Sequence, residues 1–441
     1  MIWLLLYAAA MLAACFWHAG RHTDLPGYYV CGRQARAAPV GFSILASCIG
    51  GSATIGMTGL AWECGTPAFW WLGSGALGLA FLALFLAKKI RATNALTLPG
   101  VIACYLGPQC KALAAAIILA ASIAVIAAQF SALGLMIAPL LDTSAAQAAC
   151  AGSIFLTAYT FIGGQQAVIR SDIWQFLALT AALLLALGLF LRIPSCLEAL
   201  VNVKLELSNS ALPPGRIVYF LLIFGASFFV GPMIFGRILS ATSPLAAQKG
   251  SFGAALGMTC MAALITCLGV ALQGLPLNPH KPEDALFLGV GALPPWAGIC
   301  ITFGLASAVI SSADSCLMTA ATVCASGLLR QESVLLTRLC MCLISAVSLG
   351  IALKGKGILA LLLVASDIYV CGVVPAIVVA ILRGAASQQG RRWYLAAMLC
   401  GGCLGLAAAL AGRSLYSFLG LGCAFALSLA GAVANKLTRL K

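Results

Sequence analysis

Charge is what this sequence has least of. Of its 441 residues only 8% are Asp, Glu, Lys or Arg, while 62% are hydrophobic and the mean hydropathy is +1.07. An ordinary soluble domain carries about 25% charged residues. A chain this poor in charge cannot cover a water-facing surface, so lipid is the solvent for most of it. Histidine is scarcer still, with three in the chain. So few leave no zinc set of the usual kind. Neither a nucleophile elbow nor a phosphate loop is present, which argues against an enzyme. Runs of strict apolar and polar alternation are also missing, which excludes a membrane β-barrel. No basic region precedes the first apolar run, so a cleaved signal is not expected, and no stretch reads as a soluble domain.

What is abundant fits the same picture. The 19 cysteines sit mostly inside apolar runs. A secreted disulfide scaffold would cluster them in loops, so they read as small packing residues. The net charge of +14 would point to nucleic acid in a soluble protein. Here the bases sort by side of the membrane instead, and no nucleic-acid partner is expected.

Apolar runs predict thirteen helical spans, near residues 2–18, 40–61, 67–87, 112–139, 145–163, 172–191, 215–236, 252–273, 295–326, 335–353, 357–381, 393–412 and 415–435. The run 295–326 is too long for a straight span and is expected to tilt or extend into the cytoplasm. Odd parity puts the termini on opposite sides. With the N-terminus outside, 18 of the 25 Lys and Arg fall in inner segments, Arg237 among them. The positive-inside rule then predicts N-terminus out and C-terminus in, in the cell membrane.

Two spans are interrupted by small residues. The second reads Ala46-Ser47-Cys48-Ile49-Gly50-Gly51-Ser52, and the seventh reads Gly225-Ala226-Ser227-Phe228-Phe229-Val230-Gly231-Pro232. Gly-Gly and Gly-Pro weaken a helix and free its carbonyls. Lipid penalises free carbonyls unless they line a cavity. Two such spans, five apart, point to an inverted-repeat transporter with a midplane site, although glycines also serve close helix packing.

Further along, Ala308, Ser311, Ser312 and Ser315 share one helix face. Na⁺ is a hard cation that takes oxygen ligands. Adjacent hydroxyls beside freed carbonyls suit a weak, reversible Na⁺ site, while serines bonded to their own helix are the plain alternative. Asp314 and Asp367 lie mid-span, where a carboxylate is costly and usually functional. Asp172 reads equally well as a site residue or an N-cap. Gln129, Phe228 and Tyr369 are candidates for contact with a solute, together with Gly51, Ser52 and Asp367. Trp62, Trp70 and Trp71 read as an interfacial belt.

These segments resemble the sodium/solute symporter family. The resemblance spans roughly residues 27–382, from Gly27-Tyr28-Tyr29 to Gly32-Arg33 onward. Its most specific segment is Tyr159 through Gly163-Gly164, Ala167-Val168 and Ser171-Asp172 to Gln175, joined by Phe235-Gly236-Arg237 and by Ser311-Ser312-Ala313-Asp314-Ser315. Within the family, Gly50-Gly51, Phe130 to Gly134 and Ser366-Asp367 are most similar to the choline-transporter-like branch. Where that branch places tryptophans, this chain has small or aliphatic residues, including Cys48, Val125 and Gly231.

The resemblance implies an all-α polytopic fold with a LeuT-type core of five plus five inverted helices. The expected parts are an N-terminal helix and loop (1–38), a first repeat (39–193), a second repeat (194–382) and two C-terminal helices with a short tail (383–441). It implies a Na⁺ site from the carbonyls of Ala46, Ile49 and Ala308 and the hydroxyls of Ser311 and Ser312. It also implies a possible second cation site at Asp172 and Ser315. The expected function is Na⁺-coupled symport of a small organic solute, with Na⁺ as coupling ion and no cofactor. Proton coupling and a symporter-like sensor remain open as alternatives, as does the oligomeric state.

Overall fold

The computed structural model describes residues 24–354 and 357–440, without the side chains of residues 52, 139, 140 and 437–440. The described residues are helical, with no strand and one isolated bridge between Ala35 and Ala241. Among the described residues nine helices are long and apolar enough to cross a membrane, or eleven spans with two bent pairs. In chain order these are α1 (Ala37–Cys48 with Ala53–Cys64), α2 (Thr66–Ala92), α3 (Pro108–Ala138), α4 (Ala145–Phe190), α5 (Pro214–Ser240) and α6 (Pro244–Leu272). They continue with α7 (Pro295–Leu328), α8 (Val334–Ala352), α9 (Ile358–Gly372 with Val374–Arg383), α10 (Gln388–Ala411) and α11 (Ser414–Lys436).

Local sequence sets the boundaries. Proline opens α3, α5, α6 and α7, where a missing N–H costs nothing. Serine side chains cap α4, α6, α8 and α10 by accepting a first-turn N–H. At α4 the Ser144 N–H donates in return to Gln147 Oε1, which completes a capping box.

The count of thirteen remains an expectation. The span expected at 2–18 lies outside the described residues. The spans expected at 145–163 and 172–191 run on as α4, whose 46 residues would measure about 69 Å if straight, against ~30 Å of bilayer core. Gly164 breaks its course at φ +59° and ψ −170°, a conformation open to glycine, with the Tyr28 ring packed where a Cβ would stand.

The spans pack as two groups. α1, α2, α5 and α6 contact one another, as do α3, α4, α7 and α8; α1 also lies against α4 and α7. α9 bridges α3 to the α10–α11 hairpin. Glycines permit the tightest crossings. A Cβ on Gly78 of α2 would meet the Gly225 carbonyl of α5 at 2.2 Å, and one on Gly405 of α10 would meet the Asp367 carbonyl of α9 at 2.3 Å. Cys400 and Cys403 make a Cys-x-x-Cys spacing on the exposed face of α10, and no cluster of metal-type side chains forms around them among the described residues.

Candidate functional site

The first half of α1 ends at Ile49, which leaves helical geometry at φ −108° and ψ 75°. A helix end frees the carbonyls of its last turn. Two of them are taken by α7. Ser311 Oγ donates to the Ala46 carbonyl at 2.9 Å, and Ser312 Oγ lies 3.3 Å from that carbonyl and 3.0 Å from the Ser47 carbonyl. Ser311 Oγ is also 3.0 Å from the carbonyl of Ala308. Four of the five residues expected to hold Na⁺ are thus joined by direct bonds across two helices. Ile49 stands at the break, one turn beyond Ala46, and all five are buried. The close approach needs glycine next door: a Cβ on Gly50 would come within 2.5 Å of Ser312 Oγ.

The chemistry of this donor set fits a weakly held hard cation. Every oxygen is an uncharged carbonyl or hydroxyl, the kind such ions accept. Each neutral hydrogen bond among them nets only about 0.5–1.5 kcal/mol. An ion that turns the hydroxyl lone pairs inward therefore displaces little.

The breaks of α1 and α5 open on one cavity of about 830 Å³, part of it continuous with solvent. In α5 the helix stops at Val230, and Pro232 restarts it after Gly231. Trp71, Phe224, Phe228 and Tyr369 give the cavity an aromatic lining, with the Trp71 and Phe224 ring centres 4.3 Å apart. The other polar lining comes from Gln129 and serines, Ser312 of the cation set among them, and no charged side chain takes part. Cys48, Val125 and Gly231 also line it, so the positions where small residues replace tryptophan face the cavity.

Of the residues expected at the solute, Gln129, Phe228 and Tyr369 line this cavity. Gly51 sits beside it and donates its N–H to Gln129 Oε1 at 3.1 Å. Tyr369 reaches across to donate to the Val230 carbonyl at the α5 break. The side chain of Ser52 lies outside the described residues. Asp367 is placed elsewhere. Its Oδ1 accepts from Tyr219 at 2.8 Å and from Ser417 of α11 at 2.7 Å, and it does not line the cavity.

Asp172 is no N-cap. It lies within α4, fully buried, paired with Arg237 at 3.2 Å and accepting a bond from Ser43. Two further residues depart from the sequence reading. Arg237, tallied as an inner loop charge, is fully buried in the core. Trp71, read as interfacial, is 1% exposed and forms cavity wall.

Two broken spans around one cavity, with freed carbonyls bonded to a serine pair, are the arrangement of the LeuT fold. Solved structures agree on that fold. The chain superposes on a Na⁺-coupled sialic acid symporter, in a substrate-bound outward-open state, with a TM-score of 0.81 at 16% identity, covering 98% of this chain and 96% of that one. MhsT in complex with L-phenylalanine gives 0.63 at 15% identity, over 88% and 99%. The sodium:solute symporter family model matches residues 28–401, and the chain belongs to that family. Among curated proteins it is 26% identical to high-affinity choline transporter 1 of Torpedo marmorata and 25% identical to that of Homo sapiens, over 76% and 77% of its own length. It spans 63% and 64% of those relatives.

Proposed function

We propose that this protein carries a small organic solute across the cell membrane together with Na⁺, by alternating access. The observation that carries this reading is the bonding of Ser311 and Ser312 of α7 to the carbonyls freed at the α1 break. Na⁺ there would bridge the two helix groups through Ala46, Ile49, Ala308, Ser311 and Ser312. It would favour the state that receives solute, after which the α1, α2, α5 and α6 bundle would rock; residues 39–193 and 194–382 would be the two inverted repeats. One Na⁺ moving down 100 mV supplies about 2.3 kcal/mol. That supports roughly 50-fold accumulation of a neutral solute, at ~1.4 kcal/mol per tenfold.

The solute sits in the cavity between the α1 and α5 breaks in this reading. Its relatives are named for choline, whose quaternary ammonium is held by aromatic faces on several sides. Here Trp71, Phe224 and Phe228 line the cavity together with the small or aliphatic residues Cys48, Val125 and Gly231. That arrangement favours a compact solute with an apolar part and uncharged polar atoms directed at Gln129 and the serines. Asp367, engaged with Tyr219 and Ser417, gives no support to a cationic solute.

The test is thermal stability in detergent, titrating NaCl against KCl at fixed ionic strength. A saturable, Na⁺-specific rise is expected in the wild type and is expected to vanish in Ser311→Ala/Ser312→Ala. A well-folded wild type indifferent to Na⁺ would overturn the coupling and favour protons in its place.

A further inference from the structure

Family resemblance assigns a possible second cation to Asp172 and Ser315. The structure fills that place with a side chain. Arg237 of α5 pairs with Asp172 Oδ2 at 3.2 Å through the same nitrogen that donates to Ser315 Oγ. Its Nε donates to Ser43 Oγ at 3.1 Å, and its other terminal nitrogen donates to the Met233 carbonyl at 3.0 Å. Ser43 in turn donates to Asp172 Oδ2, and Ser47 Oγ lies 3.1 Å from Ser315 Oγ. One guanidinium thereby collects oxygens from α1, α4 and α7, as a bound metal ion would. Asp172, Arg237 and Ser315 are all 0% exposed, so water does not compete for them.

We infer that Arg237 is a built-in cation in the second site and that the protein binds a single Na⁺, at Ser311 and Ser312. A second Na⁺ directed to Asp172 Oδ2 and Ser315 Oγ finds both already bonded to a fixed positive charge.

Asp314, fully buried, accepts from Ser315 at 3.1 Å and adds a second carboxyl group to the cluster. Asp172 Oδ1 and Asp314 Oδ2 accept no hydrogen bond. Arg237 and Asp172 act as positioning residues, since neither touches the Na⁺ at Ser311 and Ser312.

This inference rests on the Na⁺-coupled reading, and the experiment separates the two. Equilibrium binding of ²²Na⁺ to the purified full chain is expected to give one ion per chain, with a Hill coefficient of one. Asp172→Asn is expected to keep the count at one. Arg237→Gln is expected to raise it to two, because Asp172 and Ser315 become available. Two ions in the wild type, one of them lost in Asp172→Asn, would overturn the inference and leave Na⁺ coupling standing. A folded Arg237→Gln that still binds one ion would overturn the assignment of Arg237 as the occupant. No bound Na⁺ in the wild type would overturn the coupling and the inference together. Should Arg237→Gln fail to fold, the wild-type count alone decides.

Discussion

Two polar clusters lie one helical turn apart on α7, and they are held in opposite ways. At Ser311 and Ser312 the partners are uncharged oxygens at 2.9–3.3 Å. At Ser315 the partners are Arg237, Asp314 and the Ser47 hydroxyl, with Asp172 tied to the same guanidinium. Breaking a neutral hydrogen bond costs little when an ion replaces it. Separating a buried ion pair strands a charge in a low dielectric. The first cluster is therefore suited to a ligand that comes and goes, and the second to staying closed. In the proposed reading the same helix would provide an exchangeable site and a fixed one.

The largest effect is expected where the comparison is broken at its charged end. Asp172→Asn leaves the Arg237 guanidinium buried without its carboxylate, and losing one partner of a buried pair costs about 3–5 kcal/mol. Thermal melts in detergent should show the loss with or without Na⁺. A variant as stable as the wild type would mean that the pair contributes nothing to the fold.

Next comes the neutral end. Ser311→Ala/Ser312→Ala is expected to lower the sodium-free melt only by the few hydrogen bonds it removes, about 0.5–1.5 kcal/mol each, and to remove the Na⁺-dependent rise. A ligand at about 100 times its Kd stabilises by ~2.7 kcal/mol, so that is the size of the difference at high salt. A large loss without Na⁺ would show that the serines serve packing. Gly50→Ala is a milder probe of the same cluster. Its Cβ would crowd Ser312 Oγ, and roughly tenfold weaker Na⁺ binding is expected, about 1.4 kcal/mol. Unaltered affinity would place the ion away from Ser312.

The two clusters also differ in how far the sequence revealed them. The neutral one was legible because its parts are local patterns: Gly50-Gly51 breaks a helix, and Ser311-Ser312 repeats along one face. Family, fold class and transporter architecture followed from similar signals, as long apolar runs and paired breaks survive without any knowledge of contacts. The charged cluster depends on where distant helices meet. Nothing near Arg237 in the sequence says that it turns inward to a carboxylate 65 residues earlier. Its place at the end of an apolar run made it look like a loop charge. Asp367 failed in the opposite sense. A mid-span carboxylate reads as cavity-facing, but here the C-terminal helix α11 supplies Ser417 as its partner. Trp71 was hidden by its neighbour Trp70, which shares its chemistry but not its face.

Asp367 gives the smallest and most local test. If it braces α5 and α11 against α9 and does not bind solute, then Tyr219→Phe removes one of its two donors and nothing else at the Na⁺ or solute positions. Hydrogen bonds between membrane helices average about 0.6 kcal/mol and rarely exceed ~1.7. The melt should fall by an amount in that range while the Na⁺-dependent rise keeps its size and midpoint. A shift in the midpoint would mean that the α5–α9 contact moves when the ion binds. The brace would then be part of the transport motion, and Asp367 would report on the state of a site that it does not touch.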